Sequence, residues 1–374
     1  MALRVLHVIS DRERRGAQLF AVALSKQLNQ LGHQSTVKAL VRDRDVDGDA
    51  QGSQLDLPAF GQSRFSIRGI RALRQAMTEV DVTVAHGSTT VLATAMAKNQ
   101  YRLREADSET PISPVVIRQI GDTFAWADSA GKRARLKWAY RRAAAVVALS
   151  DLAKQRLSDG FALDDASTAV IPNGIEISTY SAVTNDERLH AKATFDLANK
   201  CTIAYVGALS HEKGVDVLLD AIAELPEVHR VALLAAGDGP ARASLTEQSE
   251  RLGIDVRFVG QLGDVHPVLA AADLFVLPSR TESMPAALVE AGAAGLACVA
   301  TRVGSVSEIV NHEVNGLLVA PDDAGQLAAA IAALADDPTQ RSAMGGAGER
   351  LAQRYSIERL AHDWVDALTE AAQQ

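Results

Sequence analysis

The chain has 374 residues, 47% of them hydrophobic and 22% charged, with a formal charge of -8. A length beyond about 250–300 residues exceeds what one core sustains, so two domains are expected, and the acidic total argues against nucleic acid as a partner. The acidity is uneven: residues 1–180 carry 24 Lys and Arg against 19 Asp and Glu, while residues 181–374 carry 14 against 27. The mildly basic first half suits an anionic ligand or surface. Only Cys201 and Cys298 are present, which excludes a disulfide framework and a zinc site built on cysteine, and makes a reducing cytoplasm the expected compartment.

In chain order, short β-branched runs alternate with amphipathic stretches. The first strand pattern, Val5–Ile9, begins almost at the N-terminus, and with no basic n-region or cleavage site before it no leader sequence is expected. Leu19, Val22, Ala23 and Leu28 then follow near helical spacing. Further strands are expected at Thr36–Leu40, Val82–His86, Val115–Ile120, Val146–Leu149 and Ala169–Ile171. This rhythm predicts a parallel sheet covered on both faces. The pattern weakens over residues 176–195, which read as a linker. It restarts with strands expected at Thr202–Val206, Val231–Ala235, Val256–Val259, Leu274–Leu277, Ala297–Ala300 and Leu317–Val319. A final helix from Ile357 carries Leu360, Trp364, Leu368 and Ala371 on one face. The longest apolar run, Leu327–Ala335, is well short of the roughly 20 residues that span a bilayer.

Ligands of open α/β sheets bind beyond the carboxyl ends of the strands, so the loops there carry the chemistry. The strongest motif is Pro278-Ser279-Arg280-Thr281-Glu282-Ser283-Met284-Pro285-Ala286, running on to Glu290. Ser283 is expected to cap a helix with Pro285 in its first turn, exposing backbone N–H groups to an anion or oxygen-rich ligand. Two carboxylates at this spacing suit hydroxyls on two parts of one ligand, although acids near the positive end of an ordinary helix would look the same. The second motif is Gly207-Ala208-Leu209-Ser210, leading to Lys213 and Gly214, where glycine allows close backbone approach and lysine offers a flexible charge for phosphate. Gly237-Asp238-Gly239-Pro240 and Ile171-Pro172-Asn173-Gly174-Ile175 are, taken singly, only turn signals.

Together and in this order, these motifs resemble the family 4 glycosyltransferases of GT-B fold, over nearly the whole length. Glu282 and Glu290 match that family's E-x7-E signature; V-G-x-L-x-x-x-K-G, G-x-G-P, I-P-N-G-I and a strand ending L-P-S also match. The first half is looser, with Gly16-Ala17-Gln18 resembling the family's first glycine loop. The resemblance implies two Rossmann-like doubly wound domains facing a central cleft, residues 1–178 and 195–356, with helix 357–374 packing back on the first. It implies a retaining transfer of a sugar from a nucleoside-diphosphate donor, without metal or other cofactor. Lys213 would hold the diphosphate, Glu282 the sugar with backbone near Met284 and Ala286, and Glu290 the ribose. Gly16 would approach the diphosphate, and the base would lie near Gly237, Gly239 and Leu262.

Two positions depart from the family pattern. Ala208 stands where the family usually has arginine, so Arg280, or next Arg302, is expected to supply the missing phosphate contact. The family's histidine at a strand end is absent, and Arg118 or Asp122 is the expected replacement, with a purely structural pair as the competing reading. His86 and Trp126 are candidate acceptor-side residues, in stretches Arg15–Gln18, His86–Thr90 and Arg118–Trp126.

Two weaker features remain in the sequence. The overlapping D-x-D triplets of Asp43, Asp45, Asp47 and Asp49 read as a solvated loop rather than a metal site. Lys132, Arg133, Arg135, Lys137, Arg141 and Arg142, interleaved with Trp138 and Tyr140, form either a solvated helix face or a peripheral dock for anionic membrane. The competing functions are a nucleotide-sugar 2-epimerase of similar fold and a non-catalytic nucleotide-sugar binder. A dehydrogenase lacks its G-x-G-x-x-G turn after the first strand.

Overall fold

The computed structural model describes residues 1–13, 16–41, 55–99, 111–121, 123–180, 183–197, 200–226 and 231–374. The chain divides into two compact units. One comprises Met1–Gly174 together with Ile357–Gln374, the other Ile175–Ser356.

The first unit is built on seven strands: β1 (Arg4–Ile9), β2 (Gln34–Val41), β3 (Ala59–Gly61), β4 (Val82–His86), β5 (Val115–Arg118), β6 (Ala145–Ala148) and β7 (Thr168–Val170). Their spatial order is β3-β2-β1-β4-β5-β6-β7, and every pairing is parallel. The second unit has β8 (Cys201–Val206), β9 (Val231–Ala236), β10 (Val256–Gly260), β11 (Leu274–Leu277), β12 (Ala297–Thr301) and β13 (Gly316–Val319), in the order β10-β9-β8-β11-β12-β13, again all parallel. Parallel strands need crossover helices on both faces, and the central strands are accordingly apolar throughout: Val84, Ala85, Val116, Ile117, Phe275 and Val276 are fully buried.

One face of the first sheet is covered by helices Ile67–Thr78, Ser88–Asn99, Ala130–Tyr140 and Asp151–Phe161, through Ile70, Leu73, Val91, Leu136 and Leu157. The other is covered by helix Gly16–Gln30 and by the last helix, Ile357–Ala372. Leu360, Trp364, Leu368 and Ala371 of that helix pack on Val5, Val82, Val84, Val116 and Val147. In the second unit, Leu218, Leu219 and Ile222 of helix Val215–Ala223 join Leu327, Ile331 and Leu334 of helix Ala324–Asp336 over Ile203, Leu233 and Val299.

Two elements differ from the sequence expectation. The residues read as a linker contain helix Asn185–Thr194, assigned to the second unit. A reciprocal cap starts it: Thr184 N–H donates to Glu187 Oε2 at 2.8 Å and Glu187 N–H to Thr184 Oγ1 at 3.3 Å. It is moored by Lys192 Nζ on Asp273 Oδ2 at 2.5 Å and by Arg188 Nη1 on the Ala272 carbonyl at 2.6 Å. None of its residues is buried, so no apolar period announced it. The three-residue edge strand β3, paired at Ala39–Ala59 and Val41–Gly61, is too short to leave an alternating pattern.

Trp364 is fully buried against Phe20, with ring centroids 6.2 Å apart. Truncating such a side chain costs about 3–5 kcal/mol. Trp364→Ala is therefore expected to destabilise the first unit by that amount and leave the second unit's transition in place. Calorimetry on the full chain checks it; a shift confined to the second unit would refute the assignment of the last helix.

Candidate active site

In the second unit β8 and β11 are neighbours, while the chain proceeds outward from them in opposite directions, to β9 and β10 on one side and to β12 and β13 on the other. This is the switch point of a doubly wound sheet, and the loops leaving its strands must diverge above a crevice. Both strong motifs lie there: residues 207–214 follow β8 and residues 278–285 follow β11.

The loops interlock through backbone. Gly207 N–H donates to the Ala236 carbonyl at 3.0 Å, Leu209 N–H to Asp238 O at 3.0 Å, and Arg280 N–H to Glu212 O at 2.8 Å. Gly237 N–H reaches Gly260 O at 2.8 Å, which ties in the loop carrying Leu262. At Gly237, φ is +140°, and a Cβ would stand 1.8 Å from the Gly207 carbonyl oxygen; at Gly304, φ is +52° and a Cβ would stand 1.9 Å from that of Glu282. Only glycine fits at either position. A Cβ on Gly239 would likewise strike the Leu209 carbonyl. The buried Tyr205 hydroxyl donates to the Ala208 carbonyl at 2.7 Å, fixing the exposed position where the family pattern has arginine.

Within this frame Lys213 and Glu282 meet. Lys213 Nζ lies 2.6 Å from Glu282 Oε1, which also accepts from Ser279 Oγ at 2.7 Å. Lys213 ends a short turn, His211–Lys213, that begins after Ser210. Helix Ala286–Ala293 starts after Pro285, and no side chain caps it. The expected cap at Ser283 is therefore corrected: the helix begins only at Ala286, with Pro285 at the cap position, and the Ser283 carbonyl accepts the Ser305 hydroxyl. Met284 and Pro285 are buried, Ala286 half-buried. One turn on, Glu290 Oε1 accepts the Tyr180 hydroxyl at 3.3 Å. Burial pushes the Glu290 carboxyl up to about 7. Burial and the adjacent Glu290 carboxylate raise the Tyr180 phenol as well.

Arg280 is not the free phosphate ligand expected from sequence. Its Nη1 and Nη2 grip Asp216 at 2.8 and 2.7 Å, Nε donates to Asp322 Oδ1 at 2.6 Å, and Nη1 also reaches the His211 carbonyl at 2.6 Å. Two carboxylates already neutralise it. Arg302 is exposed just after β12 and forms no ion pair with a described residue.

In the first unit the switch point lies between β1 and β4. Gly16 opens helix Gly16–Gln30 with open space beside its α-carbon. Asp11, just past β1, accepts Gln18 Nε2 at 2.9 Å and the Ser10 hydroxyl at 2.9 Å. Arg118, at the end of β5, is 1% exposed and has no carboxylate partner among the described residues. Its guanidinium lies 3.8 Å over the Phe20 ring, Nη2 donates to Asn173 Oδ1, and Nη1 faces His86 Nδ1 at 3.4 Å. Burial pulls it down to about 9, so it stays charged at neutral pH.

The guanidinium can only donate, so His86 Nδ1 accepts and His86 Nε2 carries the proton, which it gives to His7 Nδ1 at 2.9 Å. His7 is then protonated at Nε2, a buried atom without a partner. Burial foremost, then Arg118, holds His7 down at about 3; burial, His7 and Arg118 hold His86 well below the usual histidine value. With both ring nitrogens engaged and 3% exposure, His86 has no atom left for an acceptor, which corrects that assignment. Asp122, the side chain of Trp126 and the D-x-D stretch lie outside the described residues. No described helix is long and apolar enough to cross a membrane.

Sequence reading missed Tyr180, Asp216, Gly304, His7 and Asn173 as parts of these networks. Each reaches its partner across a long stretch of chain. Ser279, inside the L-P-S motif, and Asn173, inside I-P-N-G-I, carried local signals.

Residues 14–179 match the model of Glycosyltransferase Family 4, and residues 187–351 that of Glycosyl transferases group 1. The chain is 30% identical over 232 residues to a 2-deoxystreptamine glucosyltransferase of Streptomyces kanamyceticus, covering 60% of this chain and 60% of that protein. It is also 30% identical over 275 residues to a glycogen synthase of Mycobacterium tuberculosis, covering 70% and 62%. The alignments thus span about three fifths of these relatives' own length. Among solved structures, Anabaena HepE in complex with UDP-glucose superposes with a TM-score of 0.83 at 22% identity, over 98% of this chain and 99% of that one. The two parallel sheets with alternating helices are those of the GT-B fold.

The Glu290 carboxyl yields a pH prediction. With a folded value near 7 against an ordinary 4.5, the folded protein retains a proton that the unfolded chain has released. Stability therefore falls as pH rises through that window, and the full cost stands above it. Glu290→Gln is expected to match the parent at pH 5 and to melt higher at pH 8. Equal melting shifts at both pH values would show an unperturbed carboxyl.

Proposed function

The chain belongs to the family 4 glycosyltransferases, and we propose that it moves a sugar from a nucleoside-diphosphate donor to an acceptor, with retention of configuration and without a metal ion. The observation that carries this reading is the Lys213–Glu282 pair at the switch point, with Glu290 one turn into the helix that follows. In this reading the donor diphosphate takes over Lys213, which offsets charge developing on the departing oxygen. Glu282, released from Lys213 but still held by Ser279, accepts sugar hydroxyls. Glu290 accepts the ribose. The UDP-glucose bound by HepE supports a uridine donor. Arg118, a buried charge with no carboxylate partner among the described residues, favours an anionic ligand at the carboxyl edge of the first sheet.

The basic stretch supports a further element, peripheral contact with anionic membrane. Helix Ala130–Tyr140 and the residues after it present Arg135, Arg141 and Arg142 to solvent, Arg142 lying 4.5 Å over the Trp138 ring. Lys132 is offset by Asp128 at 3.0 Å.

Three experiments test these readings. UDP without Mg²⁺, at 100 times its dissociation constant, is expected to stabilise the protein by about 2.7 kcal/mol and raise the melting midpoint by several degrees. Glu282→Ala and Lys213→Ala are each expected to lower sugar transfer by on the order of 10²–10³. Full turnover in a folded Glu282→Ala variant would end the proposal, and conversion of the donor sugar to its epimer without acceptor would replace it with the epimerase. For the membrane, Arg135→Gln, Arg141→Gln and Arg142→Gln together are expected to weaken sedimentation with phosphatidylserine vesicles about a hundredfold, at about 1 kcal/mol per charge. Unchanged binding would remove the membrane contact.

A further inference from the structure

The structure assigns Arg280 a positioning role: it holds the Lys213 turn in register with Glu282 instead of contacting the donor phosphate itself. This rests on the donor-site reading above and adds a residue to it.

Two loops form the site, residues 207–214 after β8 and residues 278–285 after β11. Two rungs join them. One is Lys213 to Glu282 at 2.6 Å. The other is Arg280, which brackets Lys213 on both sides. Before Lys213, Arg280 Nη1 donates to the His211 carbonyl at 2.6 Å and its backbone N–H to Glu212 O at 2.8 Å. After Lys213, Nη1 and Nη2 hold the Asp216 carboxylate as a fork, at 2.8 and 2.7 Å. The turn His211–Lys213 and the first turn of helix Val215–Ala223 are thus pinned by one side chain two residues from Glu282.

A third loop completes the clamp. Asp322, after β13, accepts Arg280 Nε at 2.6 Å, and its own backbone sits at φ +58°. That left-handed conformation is unfavourable for a residue with a Cβ. The hydrogen bonds to Asp216 first, and the Asp322 contact after them, push the guanidinium above its ordinary value. Four of its five N–H donors are engaged. A diphosphate would have to displace two carboxylates to use it. Arg280 is therefore not a replacement for the arginine missing at Ala208. Its fork geometry, which lysine cannot reproduce, is used to orient a neighbouring cation.

The test uses Arg280→Met, Asp216→Asn and the double variant in the full chain, read by hydrogen exchange, UDP affinity and UDP-glucose hydrolysis. Amides of residues 209–214 are expected to exchange faster in both single variants, while those of β9 keep the parent rate. UDP affinity and hydrolysis are expected to fall by on the order of ten- to a hundredfold in both, since misplacing a binding group by about 1 Å has that effect. The double variant is expected to be no worse than either single, because the two residues act as one device. Loss of UDP affinity in Arg280→Met but unchanged or tighter UDP in Asp216→Asn would overturn the proposal and make Arg280 the phosphate ligand. Lower melting midpoints with parent UDP affinity would overturn it in favour of a purely structural clamp. Unchanged exchange at 209–214 would overturn it outright. If the parent fails to bind UDP, the uridine-donor reading fails separately, and the exchange measurement still decides the clamp.

Discussion

The donor edge of the second unit depends on backbone contacts that only glycine permits. The carbonyl of Gly207 lies where a side chain on Gly237 would begin, that of Pro278 where one on Gly214 would, and that of Glu282 where one on Gly304 would. A parallel sheet delivers all its outgoing loops to one edge, 4.7–4.9 Å apart by strand spacing, so neighbouring loops collide unless one lacks a Cβ. The glycines turn that crowding into a rigid surface. Lys213 and Glu282 stand on opposite loops of this surface and meet at hydrogen-bonding distance because the loops cannot spread.

Charge is managed differently in the two units. In the second, two positive groups at the strand ends are held by acids: Lys213 by Glu282, Arg280 by Asp216 and Asp322. Each of these two cations already has a carboxylate in position. In the first unit Arg118 is buried with an amide, a neutral imidazole and an aromatic face for company. Burying a guanidinium with no carboxylate among the described residues is costly, and such groups persist where a ligand or a field makes use of them. Its presence forces His86 and His7 into one neutral tautomer each, so that pair is a rigid buttress and not a source of protons.

Most strands were legible because both faces are covered, which leaves unbroken runs such as Leu274–Leu277 and Val82–His86 with ends marked by polar loops. The last helix was legible for a related reason: Leu360, Trp364, Leu368 and Ala371 must all face one sheet. Helix Asn185–Thr194 was not, since it is held by its cap and by Lys192 on Asp273 without burying a residue. The expected cap at Ser283 was not found, the helix beginning only at Ala286 with Pro285 at the cap position. Arg280 was expected to be free, and its engagement was not legible because Asp216 and Asp322, its partners, are 64 and 42 residues away.

The sequence by itself determined the two βα series, the order of the loops and the residue types that stand on them: Lys213 follows β8, Glu282 follows β11, and Glu290 lies along the helix after that loop. These are local consequences of periodicity, turn chemistry and the geometry of parallel sheets. Only the tertiary structure decided which charges are spent on other side chains. Whether Arg280 is free, whether His86 has a nitrogen to offer and whether Glu290 is a full carboxylate at neutral pH depend on burial and on partners tens of residues distant. The physical reason is that desolvation and ion pairing are set by what surrounds a group in space, a quantity that no window of sequence contains.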